Sequence, residues 1–196
     1  MDLEYRNRSD LAYGFFNTWI EHTGDYEGAA MLPFYTSLRA FVRAKVKSFL
    51  LNDPHLPPEN KSPLQEQTAK FYSLAWEYSR PRQGICWAVS GLSGSGKSTV
   101  ASWLAQQIGA IHIRSDAVRK HKSGIALDQH GNESLYSFEK TKKTYCKMLE
   151  LANDLTAQGL FVVLDVTFAQ KAFQSELIQL GKKYKHYFEF CSMQCS

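Results

Sequence analysis

Nine consecutive residues constrain this chain more than any others: Gly91-Leu92-Ser93-Gly94-Ser95-Gly96-Lys97-Ser98-Thr99. They fit the phosphate-binding pattern Gly-x4-Gly-Lys-Ser/Thr. By average residue usage the pattern arises by chance on the order of once per hundred chains of this length, so its flanks decide its meaning. Before it runs Ile85-Cys86-Trp87-Ala88-Val89-Ser90, apolar, β-prone and of buried-strand length. After it, Val100, Trp103, Leu104 and Ile108 recur at helical spacing. A strand, a glycine loop and a helix are what phosphate binding needs. Glycines at 91, 94 and 96 let the loop curl with its backbone N–H groups inward, and the following helix start adds unpaired donors and partial positive charge. Gly91, Ser93, Gly94, Ser95, Gly96, Lys97, Ser98 and Thr99 are therefore the candidate ATP-binding residues. Lys97 is placed to reach the outer phosphates, and the Ser98 hydroxyl to hold a magnesium ion.

The rest of the chain supplies a setting for that loop. Positions 1–80 read as helical. Ser9-Asp10 is read as a cap, with Leu11, Phe15, Trp19 and Ile20 on one face up to Gly24. A second helix is expected from near Pro33, with Leu38, Val42, Val46, Phe49 and Leu50 in period and Arg39, Arg43 and Lys47 as a basic stripe, read as a solvated or partner-facing side. Four of the six prolines fall in 52–63, which predicts a loop or linker with an inert, exposed His55. A helix over 65–80 follows, with Phe71, Leu74 and Tyr78 on one face, and Pro81 to Gly84 marks a boundary between a helical segment, 1–80, and a second domain, 81–196.

In that second domain, 111–114 reads as a strand ending at Ser115-Asp116, and a loop with Gly124, Gly131 and Asn132 comes next. A long helix over 135–157 carries Leu135, Phe138, Tyr145, Leu149, Ala152 and Leu155 on one face and is stopped by Gly159. A strand over 160–164 ends on Asp165. A helix over 173–183 and a strand over 186–192 close the chain. Alternating strands and helices predict an α/β fold, a three-layer sandwich around a parallel sheet with ligands at the C-terminal strand ends.

Three strand ends then converge: the glycine loop, Asp116 and Asp165. Asp165 follows apolar residues, as a magnesium-supporting carboxylate should; the alternative is a turn or capping aspartate. Asp116 is suited to accept a hydroxyl proton, and Arg119, three residues on, to neutralise charge on a moving phosphoryl group; a capping aspartate with a surface arginine is the alternative. Arg114 is a further phosphate-contact candidate.

Composition narrows the partners. The formal net charge is +4 with no dense basic run, so nucleic acid is not favoured as a partner. Cys86, Cys146, Cys191 and Cys195 show no paired Cys-x2-Cys spacing, which argues against zinc and a disulfide framework and suits a reducing cytoplasm. No basic-then-apolar leader opens the chain, and no apolar run approaches the roughly 20 residues that span a bilayer, so no membrane partner is expected.

The stretches 91–99, Arg114-Ser115-Asp116-Ala117-Val118-Arg119-Lys120 and Val162-Val163-Leu164-Asp165-Val166-Thr167-Phe168 resemble a family of P-loop kinases grouped with AAA-type ATP-binding proteins. Tyr136, Glu139, Thr141, Tyr145, Ala152 and Gly159 also fall where that family tends to place them. The Asp-x-x-Arg pair is similar to that of polynucleotide kinases, which implies a base role for Asp116 and transition-state stabilisation by Arg119, with Lys97 as the third catalytic residue. Adenylylsulfate kinases, gluconate kinases and zeta toxins share loop and fold, so the acceptor, a small molecule or a nucleotide hydroxyl, stays open.

The stretches Met1-Asp2-Leu3-Glu4-Tyr5-Arg6, Gly24-Asp25-Tyr26 and Arg39-Ala40-Phe41-Val42-Arg43-Ala44-Lys45-Val46 resemble the helical tail of an aminoglycoside-phosphotransferase-like domain. That domain's catalytic motifs are not in the chain, which implies no phosphotransferase activity for 1–80. Kinases of this class carry a further strand and an arginine-bearing lid, whereas the last arginine here is Arg119. The resemblance thus implies a truncated or split fused protein, with a complementing chain supplying the lid, or with Lys140, Lys142 and Lys143 as poorer substitutes. A nucleotide-binding module with little transfer is the alternative to a kinase that moves the γ-phosphoryl group of ATP to a hydroxyl.

Overall fold

A computed structural model describes residues 1–92, 94–129, 133–167, 175 and 187–192, with backbone alone at 133, 134 and 187–192. Ser93, Gly131, Asn132, Phe168 and, apart from Ser175, the expected helix over 173–183 lie outside the described residues.

Four strands form one parallel sheet: β1 (Ile85–Ser90), β2 (Ala110–Arg114), β3 (Phe161–Val166) and β4 (Tyr187–Ser192), in the order β2-β3-β1-β4. The parallel α/β architecture expected from the alternation is therefore present. Successive side chains on a strand point to opposite faces, and each face has its own cover. On one face Val89, Ala110 and Val163 pack with Ala101 and Ala105 of α6 (Lys97–Ile108). On the other, Ile111, Ile113, Val162, Leu164 and Val166 pack with Met148, Leu151, Ala152 and Leu155 of α8 (Phe138–Ala157). Between them in sequence lie α7 (Ser115–Lys122) and a short 3-10 turn, Glu133–Tyr136. Gly109 and Gly159 end α6 and α8 at φ +67° and +81°, left-handed values that favour glycine.

The N-terminal helices are α1 (Asp2–Tyr5), α2 (Ser9–Thr23), α3 (Tyr26–Ala30), α4 (Leu32–Leu51) and α5 (Pro58–Ser79). Part of this segment joins the sheet's core, since Ile20, Tyr26 and Ala29 pack in the same cluster as Ile113 and Met148. In the sheet order, β2 is an edge strand, whose outward backbone groups need partners. Asn17 of α2 supplies them: its amide donates to the Ala110 carbonyl at 2.9 Å and its side-chain oxygen accepts from His112 N–H at 2.9 Å. Asn17→Ala orphans both buried groups and is expected to cost roughly 2–3 kcal/mol, each unsatisfied group costing about 1–3 kcal/mol. Scanning calorimetry should then show a melting temperature lower by roughly 5–10 °C; a change below about 1 °C would mean the edge is satisfied without Asn17.

Several sequence expectations change in three dimensions. Helix α2 buries Tyr13, Asn17 and Ile20, not the stripe through Phe15, which is 72% exposed; Leu11 and Trp19 are exposed too. Ser9 and Asp10 do not cap it; Asp10 pairs with Arg8 at 2.9 Å instead. Helix α4 buries Thr36, Ala40 and Ala44, while Leu38, Val42, Val46, Phe49 and Leu50 face out. Small residues allow close approach, and Ala40 and Ala44 pack directly on Phe71, Leu74 and Ala75 of α5. On the basic stripe, Arg43 reaches Asp2 at 3.4 Å and Lys47 donates to Gln67 at 2.7 Å. The proline-rich stretch is only half loop: α5 already begins at Pro58, where proline's fixed φ suits a first helical turn and its missing N–H leaves no bond unmade, and the helix runs on with Pro63 inside it. In α6 the buried positions are Ala101 and Ala105, and Trp103 is 61% exposed. The long helix of 135–157 is split by the 3-10 turn, leaving Phe138 exposed at the start of α8.

Candidate active site

The loop after β1 is compact. Ser95 N–H donates to the Leu92 carbonyl at 3.2 Å, and Thr99 and Val100 N–H both turn back to the Gly96 carbonyl at 3.0 and 3.1 Å. Gly94 and Gly96 sit at φ +83° and +78°, which side chains disfavour. Among the described residues, and chain neighbours apart, no heavy atom lies within 4 Å of where a Cβ would stand on either glycine, so both glycines face open space. Lys97 folds back over the loop and its Nζ donates to the Leu92 carbonyl at 3.3 Å. Ser95 Oγ is buried without a hydrogen-bond partner. No side chain caps α6 and no acidic residue stands in its first turn, so its N-terminal donors face no competing negative charge there. Gly91, Ser98 and Thr99 flank this ring, Ser98 and Thr99 in the first turn of α6.

Asp165 is the penultimate residue of β3, paired in register with Val89 on one side and Arg114 on the other. It stands inside a strand, not in a turn or cap. It is 3% exposed, and its Oδ1 has no hydrogen-bond partner. A buried carboxylate oxygen left unmatched is costly, and an arriving cation would relieve that cost. His112 Nε2 lies 3.9 Å from Asp165 Oδ2, but burial, reinforced by the nearby Arg114 charge, pulls the imidazole down to about 4, so it is neutral near pH 7. Among the described residues no cluster of three or more His, Cys, Asp or Glu could hold a metal ion. A site built from one hydroxyl, one carboxylate and ligand phosphates fits magnesium, which keeps several waters and needs few protein ligands. Ser98 and Asp165 are the candidates to hold it.

Asp116 occupies the second position of α7, directly beyond the end of β2. It makes no cap bond; its carboxylate takes Lys120 Nζ at 3.2 Å and stands 3.8 Å from Arg119 Nη1. Tyr136 OH donates to Asp116 Oδ1 at 3.4 Å, a long bond, and the Arg119 guanidinium lies 4.8 Å above the Tyr136 ring. Arg119 is 8% exposed, and its Nε has no partner. The carboxylate and the guanidinium therefore form one charged group, which the i, i+3 spacing made legible. Lys120 joins it from one helical turn on, at i, i+4 from Asp116. Arg114 is turned toward Glu21 of α2, with which its Nη1 pairs, rather than standing free for a phosphate. Glu21 and Asn17 had no sequence signal, because they meet β2 only through the docking of α2. His121 strengthens that docking, its Nε2 lying 2.8 Å from the Glu21 carbonyl. Lys143 pairs with Glu139 at 2.7 Å on the exposed side of α8. Cys86 is buried, which pushes its thiol well up, and Cys146 is exposed; both are free. No helix among the described residues is long and apolar enough to cross a membrane.

The chain is 30% identical over 172 residues to the uncharacterized protein Rv2004c of Mycobacterium tuberculosis and to the uncharacterized protein Mb2027c of Mycobacterium bovis. Each match covers 86% of this chain and 33% of the relative, so the chain spans about a third of the length of the curated relatives it matches. A solved chain from the Pnkp1/Rnl/Hen1 complex aligns with a TM-score of 0.41 at 18% identity, over 60% of this chain and 38% of that one. A model of the family described as "AAA domain" matches residues 87–196, from β1 onward. With its phosphate loop on a parallel sheet and that match over more than half its length, the chain belongs to the AAA domain family, a P-loop, kinase-like family of nucleotide-binding proteins.

Proposed function

We propose that this protein binds ATP with magnesium at the 91–99 loop and transfers the γ-phosphoryl group to a hydroxyl of a small molecule or nucleotide. The observation that carries the reading is the loop itself: two left-handed glycines over open space, with Lys97 Nζ folded across the Leu92 carbonyl at 3.3 Å. A loop of this shape offers converging N–H donors to a phosphate, and Lys97 adds a point charge at the outer end. Magnesium, when bound, neutralises charge on the phosphates. Ser98 and Asp165 are the residues offered to it. Asp116, just beyond the end of β2, takes the proton from the acceptor hydroxyl, and Arg119 stabilises charge on the phosphoryl group in flight. The buried position of Arg119 supports that role, because a fixed guanidinium in a partly desolvated site acts more strongly than one in water.

The test is calorimetric titration with ATP, with and without magnesium, followed by transfer of labelled γ-phosphate to a panel of hydroxyl acceptors. Micromolar binding together with transfer to at least one acceptor class upholds the proposal. Binding without transfer to any acceptor reduces the protein to a nucleotide-binding module, and failure to bind overturns both readings.

A further inference from the structure

The charges around Asp165 begin outside the phosphate-loop unit. Arg114 stands beside Asp165 in the β2–β3 register, and its Nε lies 3.8 Å from Asp165 Oδ2 without any hydrogen bond. That separation is too long for the charge-assisted, two-pronged pairing that a guanidinium and a carboxylate otherwise adopt. The reason lies on the other side of the arginine, where Glu21 of α2 pairs with its Nη1. Helix α2 is fixed at that point by three further contacts. Asn17 bonds both Ala110 and His112, and His121 Nε2 meets the Glu21 carbonyl at 2.8 Å.

We infer that Glu21 is a positioning residue for the nucleotide site: by drawing the Arg114 guanidinium away from Asp165 it keeps that carboxylate available to magnesium. This rests on the reading of Asp165 as the magnesium-supporting carboxylate. Without the Glu21 charge, the guanidinium is free to close onto Asp165, and magnesium must then displace an arginine. The helical segment thus acts on the nucleotide site through one ion pair rather than by adding a ligand to it.

The experiment measures binding of a fluorescent ATP analogue to the full chain against magnesium concentration. Glu21→Gln keeps the side chain's size and is expected to raise the magnesium concentration for half-maximal binding about tenfold, the scale of one hydrogen bond to a charged group. Its affinity for the analogue in EDTA should stay within about twofold of wild type, and its melting temperature within about 3 °C, since the pair is only half-buried and glutamine keeps a hydrogen-bonding side chain of the same size. In an Arg114→Gln background the same Glu21→Gln change should shift the magnesium requirement by less than about twofold, because the cation it restrains is gone. Glu21→Asp, which retracts the charge, should give a smaller shift of the same sign and serves if Glu21→Gln unfolds. An unshifted magnesium requirement in a folded Glu21 variant overturns the inference, as does an equal shift in the Arg114→Gln background. Wild-type protein that binds no nucleotide at all overturns the proposed function and this inference together, whereas normal wild-type binding with unshifted variants overturns only the latter.

Discussion

Lys97→Ala is expected to lower ATP affinity by roughly 10–100-fold, the loss of one charged hydrogen-bond donor to phosphate. Transfer should fall further, by about 10²–10³-fold, because the ammonium also meets charge that develops only during the reaction. The fold should survive. Lys97 begins α6, where alanine is the stronger helix former, and among the described residues its side chain bonds only to the Leu92 carbonyl of its own loop, at 3.3 Å. Calorimetric titration reads the first effect, labelled-phosphate transfer the second, and a melting curve within about 3 °C of wild type the third. Unchanged affinity in a folded Lys97→Ala protein would remove the lysine, and with it the phosphate-cradle reading, from the mechanism.

Asp116→Asn should separate binding from chemistry. The amide keeps the size of the carboxylate and its reach to Lys120 and Tyr136, at 3.2 and 3.4 Å in the native protein. It cannot take a proton from an acceptor hydroxyl. Transfer is therefore expected to drop by about 10²–10⁴-fold, the range for a positioned general base. ATP affinity should stay within about twofold, since Asp116 lies on α7 and not on the phosphate loop. Transfer that persists at the wild-type rate would assign the base to another group; loss of ATP binding would make Asp116 part of the nucleotide site instead.

Strand β1, its glycine loop and the start of α6 were legible because they are contiguous, and because glycine and apolar runs act through local sterics. The pairing of Asp116 with Arg119 was legible for the same reason, being a spacing of three on one helix. The packed faces of the N-terminal helices were not. A helical period shows that Leu38, Val42 and Val46 share a stripe, yet α4 uses Ala40 and Ala44 to approach α5, and the larger side chains are left outside. Similarly, Trp103 follows the apolar period of α6, but Ala101 and Ala105 fit against Val89 and Val163.

By itself, then, the sequence determined the phosphate loop, the parallel α/β order and the three strand ends that carry Lys97, Asp116 and Asp165, since each depends on neighbours within a few positions. Only the tertiary structure decided that Asn17 completes the free edge of β2 and that Glu21 pairs with Arg114. Asn17 stands 93 and 95 positions from Ala110 and His112, and Glu21 stands 93 from Arg114, so nothing but the docking of α2 on the sheet brings these partners within hydrogen-bonding range.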